Sequence, residues 1–135
     1  MSNWLGVVSA THVRRGVQLG IAQINHGKRS GLARMHAGDT LIYYSPVEVM
    51  GDTAPLRAFT ALGTITDDQI WQADEGEFKP YRRRVNFEDT RVVTLDELRA
   101  QLNLTQQPNW GYQLRRGLVT LDDHDTALIR DSMTS

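Results

Sequence analysis

The sequence predicts an α+β domain in which a curled mixed sheet packs against three or four helices. Six short segments have the apolar or alternating pattern of strands, and they outnumber the helical segments. The helices fall irregularly between the strands, which disfavours the strand–helix repeat of a doubly wound nucleotide-binding fold. A length of 135 residues without a repeat or a long linker indicates a single domain over residues 1–135.

Elements of the N-terminal half follow from β-branched runs and capping residues. Ser9 or Thr11 can cap a first helix, because a side-chain hydroxyl accepts hydrogen bonds from the free N–H groups at a helix start. One or two helical turns are expected at Gly31–His36. The strands are predicted at Trp4–Ser9, Gly20–Ile24 and Thr40–Ser45.

The same signals predict the elements of the C-terminal half. Thr94 and Glu97 have the spacing of a capping box, which opens a helix. Asn109–Gly111 is expected to be a turn, and Asp123 is expected to cap the final helix. Asp67–Lys79 is predicted to be a polar, acidic excursion from the sheet. The strands are predicted at Arg57–Thr66, Tyr81–Glu88 and Arg116–Leu121.

Charge is unevenly distributed along the chain, although the net charge is only -1. No acidic residue precedes Asp39, and acidic residues gather at 67–77 and 122–125. Such asymmetry can make one face attractive to phosphate, with ordinary solvated charges as the alternative. The basic residues concerned are Arg14, Arg15, Lys28, Arg29, Arg34, Lys79, Arg82, Arg83 and Arg84.

The chain contains no cysteine, no signal-peptide pattern at its N-terminus and no run of about 18 apolar residues. Disulfides and thiolate metal sites are therefore excluded, and a membrane partner is not expected. These features predict a cytoplasmic protein.

Motifs for phosphate-loop and metal chemistry are missing. A phosphate loop needs a glycine five residues before its Gly-Lys pair and a hydroxyl residue after the pair. Gly27 and Lys28 have Ala22 and Arg29 at those positions. The histidines also lack the i, i+4 spacing of a helical metal site, so neither a metal nor another cofactor is expected.

One pair of residues is compatible with hydrolysis. Ser9 and His12 are three residues apart and could meet across a helix start as nucleophile and base. Capping explains Ser9 more simply, so no catalytic residue is predicted and a hydrolase is kept as an alternative.

A dense polar loop, Gln23–Ser30, lies between a predicted strand and a predicted helix. An amide from Gln23 or Asn25 can pair with the edge of a base, because it presents a donor and an acceptor side by side. His26 can stack on a base, and Lys28 can reach a phosphate. A polar loop that is held by its own hydrogen bonds is the alternative.

Two further features leave choices open. Tyr43 and Tyr44 point to opposite faces of their strand, so one is expected in the core and the other at a pocket mouth. Arg83 shares the apolar face of its strand with Tyr81 and Val85. A buried arginine needs a partner, which is either an internal carboxylate or an anionic ligand group.

Several segments, in order and with their spacing, resemble a known family across nearly the whole chain. These segments are Trp4–Ser9 with His12, Gly20–Gln23, His26–Lys28, Leu32–Asp39, Tyr44–Pro46, Phe59–Gly63, Pro80–Phe87, Asn109–Gly111 and Ile129–Met133. The family is the EVE domain, a member of the PUA-like group that also includes the YTH readers of methylated adenine.

The resemblance implies a PUA-like mixed β-barrel of five or six strands flanked by helices. Its pocket is expected between the strand that carries Ser9 and the loop that follows Gln23. It also implies a non-catalytic module that recognises a modified nucleobase in DNA or RNA. The expected base-binding residues are Ser9, His12, Gln23, Asn25, His26, Gly27, Lys28, Tyr44 and Ser45. Contacts to the phosphate backbone are expected from Arg29, Arg82 and Arg83.

Specificity for methylated adenine does not carry over from the resemblance. YTH readers enclose the methyl group with tryptophans, whereas the corresponding loop here offers Asn25 and His26. Such a pocket suits a polar or bulkier modification. A sensor of a small anionic or nucleotide-like metabolite is the alternative function from another class.

Overall fold

The computed structural model describes residues 1–135, which form seven strands and five α-helices. The strands are β1 (Asn3–Val7), β2 (Ile21–Ala22), β3 (Thr40–Ser45), β4 (Ala58–Gln72), β5 (Tyr81–Phe87), β6 (Val93–Thr94) and β7 (Leu118–Leu121). The helices are α1 (Ala10–Leu19), α2 (Arg29–Ala33), α3 (Leu95–Leu98), α4 (Trp110–Leu114) and α5 (Asp123–Met133). None of them combines the length and the apolar character that a membrane crossing requires.

One mixed sheet contains all seven strands in the order β2-β5-β4-β3-β1-β7, and β6 pairs with the start of β4. The pair β1 and β3 is parallel, and every other pair is antiparallel. The predicted α+β class is confirmed. The additional strand, β6, has only two residues, too few for an alternating pattern to be visible in the sequence.

Side chains that alternate along the strands build two cores, one on each face of the sheet. Leu5 and Tyr44 belong to a cluster that residues of α3, α4 and α5 complete. Their sequence neighbours Trp4 and Tyr43 belong to a second cluster that residues of α1 and α2 complete. Both faces of the sheet are therefore covered, and the face that carries Tyr43 is the one that matters for the site.

The two edges of the sheet curl toward each other. Asn25 follows β2 at one edge, and Gly117 precedes β7 at the other. A Cβ on Gly117 would lie 1.9 Å from Oδ1 of Asn25, so the side chain of Asn25 packs against the backbone of Gly117, where only a hydrogen fits. Gly31 lies nearby, and its Cβ position would be 3.4 Å or less from side-chain atoms of Ile24, Asn25 and Leu118. Side-chain packing therefore joins the edges of an open barrel.

The acidic segment that was expected outside the sheet is partly strand. β4 continues to Gln72, and its pairing with β5 is interrupted by a bulge between Ile65 and Ile70. The bulge itself holds four polar residues, Thr66 to Gln69, so the apolar alternation that marks a strand is lost from the sequence.

The predicted cap residue is correct for α3 and lies one residue away from the observed cap for α5. The carboxylate of Glu97 accepts from the backbone N–H of Thr94 at 2.9 Å, as the capping box predicts. In α5 the cap is Asp122, whose carboxylate accepts from the N–H of Asp125 at 2.7 Å, so the prediction of Asp123 is wrong by one residue. The turn predicted at Asn109–Gly111 is correct at Asn109 only, because Trp110 and Gly111 begin α4.

Candidate functional site

A cavity of about 600 Å³ lies between α1 and the turn that follows β2, on the face of the sheet that carries Tyr43. This volume is within the range of sites that bind small organic ligands. Its wall is partly apolar and partly built from hydrogen-bonding groups. The polar and aromatic lining residues are Ser9, His12, Arg15, Gln23, Asn25, His26, Tyr43, Glu75, Phe78, Arg82 and Arg115.

Ser9 lies in this wall at the N-cap position of α1. The predicted cap position is confirmed, but the side chain makes no hydrogen bond to the helix. The hydroxyl oxygen is buried and has no hydrogen-bond partner at all. Leaving such a group unpaired costs about 1–3 kcal/mol, and native structures contain few of them. The hydroxyl therefore has an unmet capacity for a hydrogen bond.

Tyr43, rather than Tyr44, is the tyrosine of the cavity wall. Its hydroxyl accepts from the backbone N–H of Gln23 at 3.4 Å, and burial raises the pKa of Tyr43. Tyr44 points to the opposite face and packs against Phe59, with ring centroids 5.6 Å apart. Ser45 is also buried away from the cavity, with its hydroxyl 2.8 Å from that of Thr60. The expectation that Tyr44 and Ser45 bind the base is wrong, because strand alternation places Tyr44 in the other core and burial isolates Ser45.

A chain of hydrogen bonds crosses one wall of the cavity. The side-chain oxygen Oε1 of Gln23 accepts from Nε of Arg82 at 2.9 Å. Nη2 of Arg82 donates to Glu75 at 3.0 Å, and Arg15 donates to the same carboxylate oxygen. Burial opposes ionisation of Glu75, but its two arginine partners outweigh burial and lower its pKa. Two guanidinium groups against one carboxylate leave this wall with a net positive charge.

The tight turn after β2 forms another part of the wall. Asn25, His26 and Gly27 have φ values of 49°, 58° and 83°. A left-handed backbone costs a non-glycine residue about 1–2 kcal/mol, and such strain concentrates at functional sites. Gly27 is required here by packing as well as by φ, since its Cβ would lie 2.6 Å from Cβ of Pro80. The side chain of His26 is exposed at the cavity mouth.

Cationic groups are distributed around the mouth. Arg115 lines the cavity and is exposed. Lys28 and Arg29 follow the turn and are exposed, but they do not line the cavity. His12 lines the cavity from α1, yet no hydrogen bond joins it to Ser9, whose hydroxyl has no partner. The structure therefore does not assemble the base-assisted nucleophile that a hydrolase would use.

Arg83 is not available to phosphate, which corrects the prediction that it contacts the nucleic-acid backbone. Only 2% of the residue is exposed. Its Nη1 donates to the carbonyls of Leu32 at 2.9 Å and Met35 at 2.6 Å. Its Nη2 donates to the carbonyl of Asp67 at 2.5 Å and to the carboxylate of Asp68 at 3.3 Å. The arginine thus fastens the end of α2 to the bulge in β4, and its partner is internal.

One acidic cluster outside the cavity has a structural role. Ligand-type atoms of Asp122, His124 and Asp125 lie within 4.8 Å of one another. Asp125 accepts from the N–H groups of Asn103 and Leu104, both at 2.8 Å, and Asp122 caps α5. These bonds fasten the start of α5 to the segment before α4 and account for the burial of Asp125.

Parts of the wall were not predicted from sequence. Arg15 could have been found, because helical spacing places it on the same face of α1 as His12. Glu75 and Phe78 come from the connection between β4 and β5, far along the chain from Gln23. Only the pairing of β2 with β5 brings that connection to the cavity.

Comparison with known proteins places the fold in a known group. A family model described as "EVE domain" matches residues 2–132. A UPF0310 protein from Renibacterium salmoninarum is 56% identical over 136 residues, which cover 100% of this chain and 98% of that protein. A UPF0310 protein from Mycobacterium avium is 41% identical, with 99% of each chain covered.

Solved structures share the fold at low sequence identity. A hypothetical protein from Leishmania major has a TM-score of 0.62 and 15% identity, with 97% of this chain and 93% of that chain covered. Human THYN1 protein, in complex with 5-methylcytosine containing DNA, has a TM-score of 0.56 and 12% identity, with 97% and 96% covered.

Proposed function

The chain belongs to the EVE domain family, and from that premise we propose that it is a non-catalytic nucleic-acid-binding module whose cavity receives one modified base turned out of its strand. The observation that carries the proposal is the cavity of about 600 Å³ with the buried, unpartnered hydroxyl of Ser9 in its wall. A base that hydrogen-bonds this hydroxyl removes the cost of leaving it unpaired. The complex of THYN1 with 5-methylcytosine containing DNA supports nucleic acid as the class of ligand.

The groups around the cavity match the needs of base recognition. Ile24 and Tyr43 supply apolar and aromatic surface, and Gln23 supplies an amide. His26 at the mouth can stack on a base that enters or on its neighbour. Binding without chemistry needs a surrounding wall and polar groups at the base edge, and this set contains both.

Contacts to the backbone of the nucleic acid are proposed for exposed cations near the mouth. Lys28, Arg29 and Arg115 are exposed and make no ion pair within the protein. A phosphate that meets such a group displaces only water and counterions and breaks no internal bond. By contrast, Arg82 is paired with Glu75, so its proposed role lies inside the wall.

One observation favours the second candidate, a sensor of a small anionic metabolite. Arg15 and Arg82 share a single carboxylate, so the cavity wall itself carries positive charge. A small anion held there is largely buried, and its binding depends little on salt concentration. A nucleic acid held through several phosphates loses affinity steeply as salt rises.

A binding screen tests the proposed function. The probes are short single- and double-stranded DNA and RNA, each with one modified base or its unmodified twin, together with free mononucleotides, at two salt concentrations. We expect one modified oligonucleotide to bind better than its twin. Ser9→Ala and His26→Ala are expected to reduce that difference about two- to tenfold, the value of one hydrogen bond or stacking contact. His36→Ala, an exposed histidine outside the cavity, is the matched control and leaves the difference unchanged.

Two adjacent arginines test the backbone contacts. Arg115 lines the cavity, whereas Arg116 is exposed and does not. Arg115→Gln is expected to weaken all bound oligonucleotides alike and to reduce the slope of log affinity against log salt by about 1. Arg116→Gln carries the same charge change and should alter the slope less. Salt-insensitive binding of mononucleotides with no discrimination among oligonucleotides would instead establish the metabolite sensor.

A further inference from the structure

We infer that the cavity selects a base by a hydrogen-bond acceptor on its edge, in particular a ring carbonyl. Gln23 is the residue that enforces this choice, and Arg82 is the residue that positions Gln23. The inference rests on the proposed function and specifies the class of base that is bound. Carbonyl-bearing bases are cytosine, thymine, uracil, guanine and their modified forms, whereas adenine has no carbonyl, and its amino group lies beside its ring-nitrogen acceptors.

The orientation of the Gln23 amide follows from the chemistry of its neighbour. The two ends of a glutamine amide look alike, so the bonding partner decides which end is oxygen. Arg82 has N–H donors and no acceptor. Its Nε lies 2.9 Å from the Gln23 side chain, so the atom that faces it must be the amide oxygen. The amide nitrogen must then face away from Arg82.

The amide nitrogen is left for a ligand. The only hydrogen bond of the Gln23 side chain within the protein is the one from Arg82 to the oxygen. Gln23 lines the cavity, and its two amide N–H groups have no partner within the protein. A base that places an acceptor against them gains a hydrogen bond. A base that places an amino group there sets donor against donor and leaves both unpaired.

Arg82 is itself held in place, which prevents the amide from turning. Its side chain is only 14% exposed, and it bonds to Glu75 as well as to Gln23. Glu75 is in turn held by Arg15 on α1. This chain of four side chains ties together α1, the end of β2, the β4–β5 connection and β5. The donor is therefore oriented before the ligand arrives, and no rotamer has to be selected on binding.

The neighbouring groups of the wall are donors as well. The hydroxyl of Tyr43 accepts from the N–H of Gln23, so its own hydrogen is free to donate. Burial raises the pKa of Tyr43, which keeps the hydroxyl protonated. Arg15 and Arg82 both bond to one oxygen, Oε2, of Glu75, the carboxylate of the wall. The wall thus offers donors from Gln23 and Tyr43.

The test uses the full chain and one oligonucleotide sequence, in the form that binds best in the screen described above. Its central position holds 5-methylcytosine, thymine, guanine, adenine, N6-methyladenine or no base. Carbonyl-bearing bases are expected to bind about tenfold or more tightly than the two adenine-type bases, the discrimination of a well-formed base contact. Affinity relative to the baseless oligonucleotide is the quantity measured, by fluorescence anisotropy.

Two variants separate specificity from simple damage. Gln23→Glu keeps an oxygen toward Arg82 but turns a second oxygen, an acceptor, into the cavity, so the preference should shift by about tenfold toward the adenine-type bases. Arg82→Leu frees the amide to turn, and the preference should fall to about twofold or less while circular dichroism shows a folded protein. Gln18→Glu makes the same charge change on the exposed surface of α1 outside the cavity and serves as the control.

The outcomes distinguish this inference from the proposed function. A preference of the wild-type protein for adenine-type bases, or an unchanged preference in Gln23→Glu, overturns the inference while base recognition stands. A preference that survives in folded Arg82→Leu overturns the positioning role of Arg82. If no base binds better than the baseless position, the proposed function and the inference fail together.

Discussion

Replacement of Arg83 with methionine is expected to lower the free energy of unfolding by about 3–5 kcal/mol. The side chain is buried and its two terminal nitrogens serve three backbone carbonyls and one carboxylate. Methionine has a similar length but no donor, so the carbonyls of Met35 and Asp67 lose their partner, and the carbonyl of Leu32 keeps only its bond from the backbone N–H of Met35. The variant therefore removes the link between these two elements without opening a large cavity.

The magnitude follows from the number of groups left unpaired. Each of the two carbonyls left without a partner costs about 1–3 kcal/mol, and the lost bond from the charged guanidinium to the Leu32 carbonyl costs about 1.5–3 kcal/mol, so the total is roughly 6 kcal/mol at the centre of these ranges. Burial of the apolar methionine side chain stabilises the folded state by about 1.5–3 kcal/mol, which offsets part of this cost. The difference agrees with the cost of removing one partner from a buried charged network. In a chain of 135 residues such a loss lowers the Tm by about 10–20 °C.

Arg84→Met is the matched control for this prediction. Arg84 is the next residue of β5, is exposed, and places its guanidinium 5.3 Å from the centre of the Trp71 ring. Loss of that cation–π contact is expected to cost less than about 1 kcal/mol. Urea denaturation followed by tryptophan fluorescence, together with thermal melts, measures both variants.

The result for Arg83→Met decides between the two roles that the sequence left open. A loss below about 1 kcal/mol, combined with a reduced salt dependence of oligonucleotide binding, would refute the structural role and restore Arg83 as a phosphate contact. The expected outcome is a large loss of stability. The slope of log oligonucleotide affinity against log salt, measured on the folded fraction of the variant, is expected to stay unchanged.

The remaining predictions concern stability at three other places. Burial opposes ionisation of Asp39, but hydrogen bonds from an indole and two backbone N–H groups outweigh burial and hold its pKa below the ordinary value of about 3.9. A carboxyl group whose pKa is lower in the folded state stabilises the fold above the unfolded pKa, and this contribution is lost as pH falls through the folded pKa. Asp39→Asn should therefore destabilise the protein at pH 7 and reduce the loss of stability below about pH 4, as measured by urea titrations across that range. Gly117→Ala introduces a Cβ 1.9 Å from Oδ1 of Asn25 at a φ of +81° and should cost more than Gly76→Ala, which has a φ of +83° and no atom within 4 Å. If thermal melts show the same decrease in Tm for both variants, backbone strain alone, and not the contact with Asn25, causes the loss of stability. Ser9→Ala should leave stability unchanged or raise it by up to about 1 kcal/mol, since it removes an unpaired buried hydroxyl, whereas a loss of about 1 kcal/mol would indicate that the hydroxyl caps α1 after all.

Much of the candidate site was predictable because its residues lie close together in the sequence. The structure brings Gln23, Asn25, His26 and Gly27 into the cavity wall from one turn after β2, as the polar loop suggested. It also brings in Ser9, His12 and Arg82, which were predicted from the resemblance. Whether these residues bind a base stays a prediction. The proximity of the four residues of the turn is a matter of local chain geometry, and local geometry leaves a trace in local sequence.

The errors come from places where the choice depends on distant partners. Tyr43 and Tyr44 are equally aromatic, and only the packing of α1 and α2 on one face decides which of them meets the cavity. Arg83 and Arg82 are adjacent and equally charged. Their roles differ because one faces carbonyls of α2 and the other faces the end of β2.

The sequence by itself determined the α+β class, the position of most strands and helices and the family, because period, capping residues and motif spacing are properties of short stretches of chain. Tertiary structure alone decided which side of each strand faces the cavity, where the buried arginine finds its partners and how Arg15, Glu75 and Arg82 orient the amide of Gln23. The physical reason is that hydrogen bonds and side-chain contacts act over a few ångströms. Residues about 60 positions apart come within that range only after the sheet has paired and curled.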